Sequence, residues 1–580
     1  MLPSMLAEEK IRSARPLLTR FRLGRSRLAW IAATTVAVIA LFFAYLFESR
    51  TQGVNSDAAS VVLIGWDMTH GNPLLHGWLL ADVSFWTFEA PIDGVVGLLT
   101  GLHPDIAHIT AAFVYTLLVV TVALVAKGTA SGREGITRAL LAAGVVVAPA
   151  FFASARVLLL APDHIGVAVP VLVTWLLIDR AGPRPWVPPM VCGLLIWAQL
   201  DDPVASIAGA LPLAVVCAAR AMAGTVGLVW VRWRKRRRFD WVPRPRSVAA
   251  VPGYDAALAV AAVSSYVLTS LIVSAIRADG GFQLRPIPGG YNLVPWAQVP
   301  QNLQWTGQNL LYLFGGTTWG QPTWLGILHW AGLGIALAGL LAGIASLFRL
   351  QYGDRVTQTL AVDILAMLAA GALSHLMLPM SGAHEIAVVL PFGAVLGGRT
   401  VGGWLARDAK SRTRRVAVAV LTPALALVGV GLLAQLGYDA ARPQRPPETQ
   451  ALADFLVAHG LTSGLAGYWQ SASTTVDSGG LVHIAAVNSG GGYGYAWESK
   501  SDWYDPAVST ANFVVTTSFP PSASGYARPD SVLRWYGQPQ LVYQAGYYTI
   551  MVYDYNLLTR VVNPGVPALA PPFIPGSHAR

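Results

Sequence analysis

Charge is what this sequence has least of. Only 12% of its 580 residues are Asp, Glu, Lys or Arg, where soluble domains carry about 25%. With 54% hydrophobic residues and a mean hydropathy of +0.50, the chain could not cover a soluble surface. An ordinary cytosolic enzyme is excluded. Disorder is excluded too, because apolar runs recur through the first three quarters. Two cysteines exclude a disulfide scaffold and a cysteine zinc cluster. Cys192 and Cys217 read as small core residues. No Gly-rich phosphate loop, nucleophile elbow or HExxH motif occurs, so ATP-driven transport and membrane metalloproteolysis lack support.

What is present is a series of apolar segments. A membrane helix needs about 20 such residues. Eleven candidates run at 28–48, 106–126, 138–158, 165–179, 186–200, 204–223, 254–276, 323–348, 358–378, 385–404 and 416–437. The fourth and fifth are short, and the tenth contains Arg399. The net charge of +10 then reads as topology. Residues 1–27 form a basic N-terminus that is not a cleavable signal peptide. With eleven spans, the connections holding Lys127, Arg133 and Arg138, Arg180 and Arg184, Arg232–Arg238, Arg349 and Arg355, and Arg407–Arg415 share its side. That places the N-terminus in the cytoplasm of a multi-pass plasma-membrane protein and the C-terminus outside. The dense 232–238 run suits anionic lipid, and nucleic acid is not expected as a partner. Asp363, on the cytoplasmic half of the ninth span, is expected to pair within the bundle.

The opposite connections differ. The loop 49–105 is rich in Asp, His, Trp and Gly, and 277–322 carries Trp296, Trp305 and Trp319, as membrane-interface segments do. Within the first loop, 55–94 reads as one or two short surface helices joined by the Gly71-Asn72-Pro73 turn. Residues 438–580 read as a separate small exoplasmic α/β domain behind a Pro-rich linker. Helices are expected at Thr449–His459 and Asp530–Tyr536. Strands are expected at Leu465–Trp469, Leu481–Val487, Asn512–Thr516 and Tyr547–Tyr553.

Ionisable groups near membrane depth are costly and mark function by default. Those on the outer side are Asp57, Asp67, His76, Asp82 and Glu89 in the first loop, Asp163-His164, Asp201-Asp202 and His384-Glu385. Short loops hold the last three pairs close to the bilayer surface. The basic residues there are Arg50, Arg156, Arg277 and Arg285. Each acidic group also has a structural reading. Asp57, Asp163 and Asp202 sit where helix N-caps sit, Glu385 could complement a helix dipole, and Asp67, Asp82 and Glu89 could be solvated loop carboxylates. His103 and His108 read as interfacial residues.

With these features in place, the chain resembles the GT-C superfamily of membrane glycosyltransferases. That class includes the protein mannosyltransferases, the lipid A aminoarabinose transferases and the actinobacterial arabinofuranosyltransferases. The likeness rests on four features. They are the long loop after the first span with Asp57 just beyond the membrane, and the amphipathic stretch leading to Gly101-Leu102-His103-Pro104. The others are the proline-broken late span Glu385–Ala394 and the exoplasmic tail. Two features depart from the class: the first loop has no adjacent acidic pair, and the late span begins His384-Glu385. The resemblance implies an α-helical polytopic fold and inverting transfer of a sugar from a polyprenyl-phosphate donor to an envelope glycan, lipid or protein acceptor. It implies Asp57 as general base. Arg156, His164 and His384 would stabilise the leaving phosphate, with Arg277 and Arg285 next, and Asp163, Glu385, Asp67, His76, Asp82 and Glu89 would line the substrate site. No cofactor is required by the resemblance; a divalent cation, where one is bound, would sit between Asp57 and Asp163. Trp469, Tyr493, Trp497 and Trp503 of the tail would meet acceptor or form domain core. The rival readings are a lipid or polymer transporter or flippase, with internally similar halves, and a non-catalytic scaffold presenting the tail.

Overall fold

The computed structural model describes residues 25–151, 153–160, 164–236, 252–286, 293–317, 322–407, 411–518 and 525–563. Among the described residues, seven helices are long and apolar enough to cross a membrane: Leu28–Ser49, Asp105–Lys127, Pro203–Val226, Pro252–Ala278, Thr323–Leu347, Arg355–Leu373 and Arg412–Ala440. The protein is a multi-pass membrane protein. The other four apolar segments are helical in shorter pieces. For the third, helix stops at Val146, three residues before Pro149, and resumes as the short Ser154–Leu158 turn. Proline disfavours helix in the residue before it. The freed carbonyls are used: Tyr115 donates to Val146 O at 2.6 Å and Tyr45 to Val147 O at 2.7 Å. The fourth and fifth are Ala168–Ala181 and Val187–Asp201.

The tenth segment forms the centre of the bundle. It runs as a 3-10 turn (Ser381–Ile386), an α-helix (Val389–Gly397), a π-turn (Gly398–Gly402) and a last α-turn (Gly403–Ala406). Every residue from Val389 to Arg399 is buried. Arg399 is tolerated there because it reaches Asp179 at 3.2 Å, Asp354 at 3.0 Å and the Val125 carbonyl at 2.6 Å. Removing one member of such a buried pair costs about 3–5 kcal/mol. A second buried cluster joins Arg355 to Asp255 at 2.6 Å and Arg220 to Asp255 at 3.5 Å. It marks the face opposite the one described next. Asp363 departs from expectation: it is fully buried, and neither carboxyl oxygen has a hydrogen-bond partner among the described residues.

On the other face the first loop folds into two helices, α1 (Ser56–Thr69) and α2 (Glu89–Thr100), with a short strand β1 (Trp78–Leu80) between them. The second helix thus starts well beyond the Gly71-Asn72-Pro73 turn. Asn55 caps α1, accepting the Ala58 N–H at 3.0 Å, so Asp57 is not the cap. The two helices cross backbone to backbone. A Cβ at Gly65 would lie 2.2 Å from the Ala90 carbonyl, so only glycine fits.

The segment after Trp296 forms the helix α3 (Val299–Leu313), which turns Asn302 and Asn309 inward onto the carbonyls of Ser374 and Leu378 at 2.8 Å. Its opposite face leaves Leu303 exposed beside exposed Trp296, as an interfacial helix does. Trp319 and Arg237–Arg238 lie outside the described residues.

Beyond the last long helix stands a five-stranded sheet. In chain order its strands are β3 (Ser463–Gly467), β4 (His483–Val487), β6 (Phe513–Thr517), β7 (Leu541–Ala545) and β8 (Tyr548–Val552), once β2 (Gln283–Leu284) and β5 (Ser499–Lys500) are counted elsewhere. The spatial order is β4-β3-β6-β8-β7, with β3 parallel to both neighbours and the other pairs antiparallel. Helices cover it at Gln450–Ala458, Tyr468–Asp477 and Pro529–Tyr536. The strand expected over Leu465–Trp469 ends at Gly467, because the helix α4 (Tyr468–Asp477) starts at once. β7 has no counterpart in the sequence reading. α4 packs on α1: Ala472 and Val476 enter the same apolar core as Ala58, Ala59 and Val62. A small sheet completes the join. β1 pairs in parallel with β2, and antiparallel with β5. Three segments distant in sequence are so held in one register.

Candidate active site

The small sheet decides where the site lies. Asp82 leaves the end of β1, and Glu498 immediately precedes β5. Asp57 stands in the first turn of α1 and Tyr468 is the first residue of α4. The loop before Ala168–Ala181 brings His164, and the 3-10 turn brings His384 and Glu385. They meet at a cavity of about 200 Å³. Its lining includes Asp57, Asp82, His164, His384, Glu385, Trp497 and Glu498, with Val61, Phe85 and Leu376 on the apolar side.

Three of the cavity's residues have left-handed backbone: Phe85 (φ 53°), His164 (φ 49°) and Glu498 (φ 45°). Such strain in residues with a Cβ persists only where the surroundings enforce it, and it gathers at functional sites.

The electrostatics divide the cavity in two. On one side the Tyr468 hydroxyl lies 2.5 Å from Asp57 Oδ1 and 2.6 Å from Glu498 Oε2. A phenol has one proton. It serves one carboxylate, and the other must carry a proton of its own to face the phenolic oxygen. Burial, then Glu498 and Asp57, push the Tyr468 phenol well above its usual range. Asp57 Oδ2 accepts from Asn55 Nδ2 at 2.9 Å.

On the other side, His164 Nδ1 donates to Asp202 Oδ2 at 2.7 Å, and its Nε2 lies 3.7 Å from Glu385. Burial opposes a charge on His164. Asp202, Glu385 and Asp82 outweigh it and push the imidazole up to about 10. Asp202 also caps the turn at Val204 N with Oδ1, so its structural role and its hold on His164 coexist. His384 Nε2 sits 3.1 Å from Glu385, and the two imidazoles stack with centroids 5.9 Å apart. Asp82 is shifted up, by burial first, with His164 opposing.

His164, His384 and Glu385 offer ligand atoms within 4.8 Å of one another. With Asp202 orienting one imidazole, this donor set fits a divalent cation. Asp57 is not in it, and Asp163 lies outside the described residues.

The remaining expected residues are placed elsewhere. Glu89 sits behind the cavity, fully buried, where its carboxyl is raised by burial and by Asp201, to which it donates a proton. A Cβ at Gly166 would lie 1.4 Å from Glu89 Oε1, so that loop must carry glycine. Asp67 is structural, accepting from Trp78 Nε1 at 2.7 Å and Lys500 Nζ at 3.1 Å. His76 is on the surface, 4.0 Å from Asp279. Arg156 lines a different cavity. Arg277 is exposed, whereas Arg285 lies over the Trp497 ring at 5.4 Å and donates to Ala496 O. Of the tail aromatics, Trp497 lines the site and Trp469 the second cavity. Trp503 packs on Trp78, and Tyr493 on Trp535. Glu498 and Tyr468 are members that sequence reading missed.

No protein-family model matches the chain, and no curated protein matches it. Solved structures do. ArnT from Cupriavidus metallidurans bound to undecaprenyl phosphate is similar at 12% identity and a TM-score of 0.49, over 90% of this chain and 98% of that one. The oligosaccharyltransferase of Archaeoglobus fulgidus is similar at 13% identity and 0.44, over 83% and 69%. The mycobacterial arabinofuranosyltransferase AftD is similar at 14% identity and 0.40, over 91% of this chain and 42% of that one.

Proposed function

We propose that the protein is an inverting glycosyltransferase of the plasma membrane. It moves a sugar from a polyprenyl-phosphate donor to a hydroxyl of an envelope glycan, lipid or protein. In this reading the N-terminus is cytoplasmic, the site and the C-terminal domain are extracytoplasmic, and residues 438–580 form that domain. One observation carries the reading: Asp57, His164, His384 and Glu385, drawn from three separate regions of the chain, line a single cavity. A scaffold has no need of that convergence, and a transporter would hold its ionisable groups between internally similar halves near the midplane.

The chemistry is a single displacement. The acceptor oxygen bonds to the anomeric carbon as that carbon's bond to phosphate breaks, and the bonding pair leaves with the phosphate. Asp57 takes the acceptor proton. Tyr468 and Glu498 hold its carboxylate in place, and their shared proton can redistribute when Asp57 becomes protonated. His164, cationic through Asp202, and His384 stand opposite to donate to the leaving phosphate. Alternatively, with His164 and His384 neutral at their ligating nitrogens, these two imidazoles and Glu385 would hold a divalent ion, which would supply Lewis-acid neutralisation of that phosphate in place of the imidazolium donor.

Asp57→Asn keeps size and hydrogen bonding but removes the base. Transfer measured with the purified protein and a polyprenyl-phosphate sugar should fall by at least ~100-fold, with unchanged membrane insertion and melting temperature. Full activity in that variant overturns the assignment. The donor sugar is to be found as the polyprenyl-phosphate sugar that accumulates in a deletion strain.

A further inference from the structure

A second cavity, of about 370 Å³, opens between the first loop and the five-stranded unit. It shares a wall with the first. Asn55 lines it while holding Asp57 Oδ2, and Trp469 lines it while its neighbour Tyr468 holds Asp57 Oδ1. The geometry points to an uncharged oligosaccharide as its ligand, lying where a chain end can reach Asp57 across that wall. This rests on the transferase reading and makes the second cavity the acceptor subsite.

The lining decides the ligand class. Trp469, Tyr526, Tyr547 and Tyr548 supply aromatic faces, whose partial negative charge suits the C–H faces of sugar rings. The hydrogen-bonding groups are of both kinds. Gln470 is 5% exposed and turns an amide, donor and acceptor at once, to the cavity. The Tyr547 and Tyr548 hydroxyls meet at 2.8 Å, and both can turn to a ligand. Arg156 and Glu448 contribute one charge of each sign, and neither has an ion-pair partner among the described residues. A phosphate site would gather cations. This one balances them, as recognition of neutral hydroxyls, which both donate and accept, requires. The Glu448 stem lies on Gly53, where a Cβ would come within 2.5 Å of it, so the carboxylate is held at the rim. The volume lies in the ~300–1,000 Å³ range of ligand sites.

The test uses the full chain in lipid nanodiscs and four uncharged probes: gluco-, manno-, galacto- and arabino-tetraose. Saturable binding of at least one is expected, retained in Asp57→Asn. Tyr547→Ala and Gln470→Ala should each weaken it at least tenfold without moving the melting temperature, while Tyr352→Ala, on the opposite face, leaves it unchanged. No saturable binding by any tetraose overturns the inference. So does binding indifferent to both lining variants, or displacement of the tetraose by undecaprenyl phosphate, which would make this a lipid-phosphate site. If Asp57→Asn loses transfer while tetraose binding ignores Tyr547 and Gln470, the inference alone fails. If Asp57→Asn keeps transfer, the catalytic assignment fails whatever the tetraose does.

Discussion

Tyr468 is the residue on which the site's proton balance turns. Its hydroxyl separates two carboxylates that would otherwise face each other across a buried gap. Phenylalanine there removes a donor to ionised Asp57, and that loss favours the protonated carboxyl. In Tyr468→Phe, kcat should fall by about 10–100-fold, and the acid limb of the pH–rate profile should move to higher pH. An unmoved limb would mean that Tyr468 only fills space. At this scale the sequence was informative in part. Asp57, Asp82, His164, His384 and Glu385 stood out because ionisable side chains beside apolar runs need a reason to be there. Glu498 gave no such signal. It sits in a Gly- and Tyr-rich loop of the tail, and its burial and left-handed backbone come from the pairing of β5 with β1.

At the scale of elements, α2 shows how a surface helix can carry a buried acid. Asp93 is 3% exposed. Burial pushes its carboxyl up to about 8. Its folded value thus lies above its unfolded one. The neutral form stabilises the fold fully below pH about 4, and that contribution is lost as pH rises through about 8. The melting temperature should decline across pH 5–9 in the wild type, and Asp93→Asn, permanently neutral, should flatten the decline. An identical slope in both proteins would assign the pH dependence to other groups. Hydropathy located the long helices well because each is a contiguous run. It could not show that the third segment breaks near Pro149, nor that the tenth is assembled from four kinds of turn around Arg399. Those outcomes depend on which carbonyls and carboxylates the neighbouring helices offer. Asp363 is the converse case: the bundle buries it without the expected partner among the described residues.

At the scale of the whole molecule, the wall of the candidate site belongs to no single unit. The first loop supplies Asp57, the sheet unit supplies Tyr468 and Glu498, and the bundle supplies the imidazoles. The α1–α4 seam should therefore be as sensitive as the site. Ser56 and Ser473 face each other there with oxygens 3.4 Å apart, so Ser473→Trp cannot fit without parting the two helices. That variant should insert in the membrane normally yet lose transfer by more than ~100-fold. Limited proteolysis at residues 442–447 should speed up. Retained activity would show that the seam does not position the site.

Scarcity of charge, the order of the apolar runs and the clustering of arginine between alternate runs were legible in the sequence alone, because hydrophobic transfer acts on contiguous stretches and composition is read along the chain. The meeting of Asp57 with Tyr468, 411 residues apart, was decided only in the tertiary structure. Hydrogen bonds between α4, the three-stranded sheet and the first loop have no signature along the chain. They form where packing of two remote amphipathic faces removes their apolar surface from water.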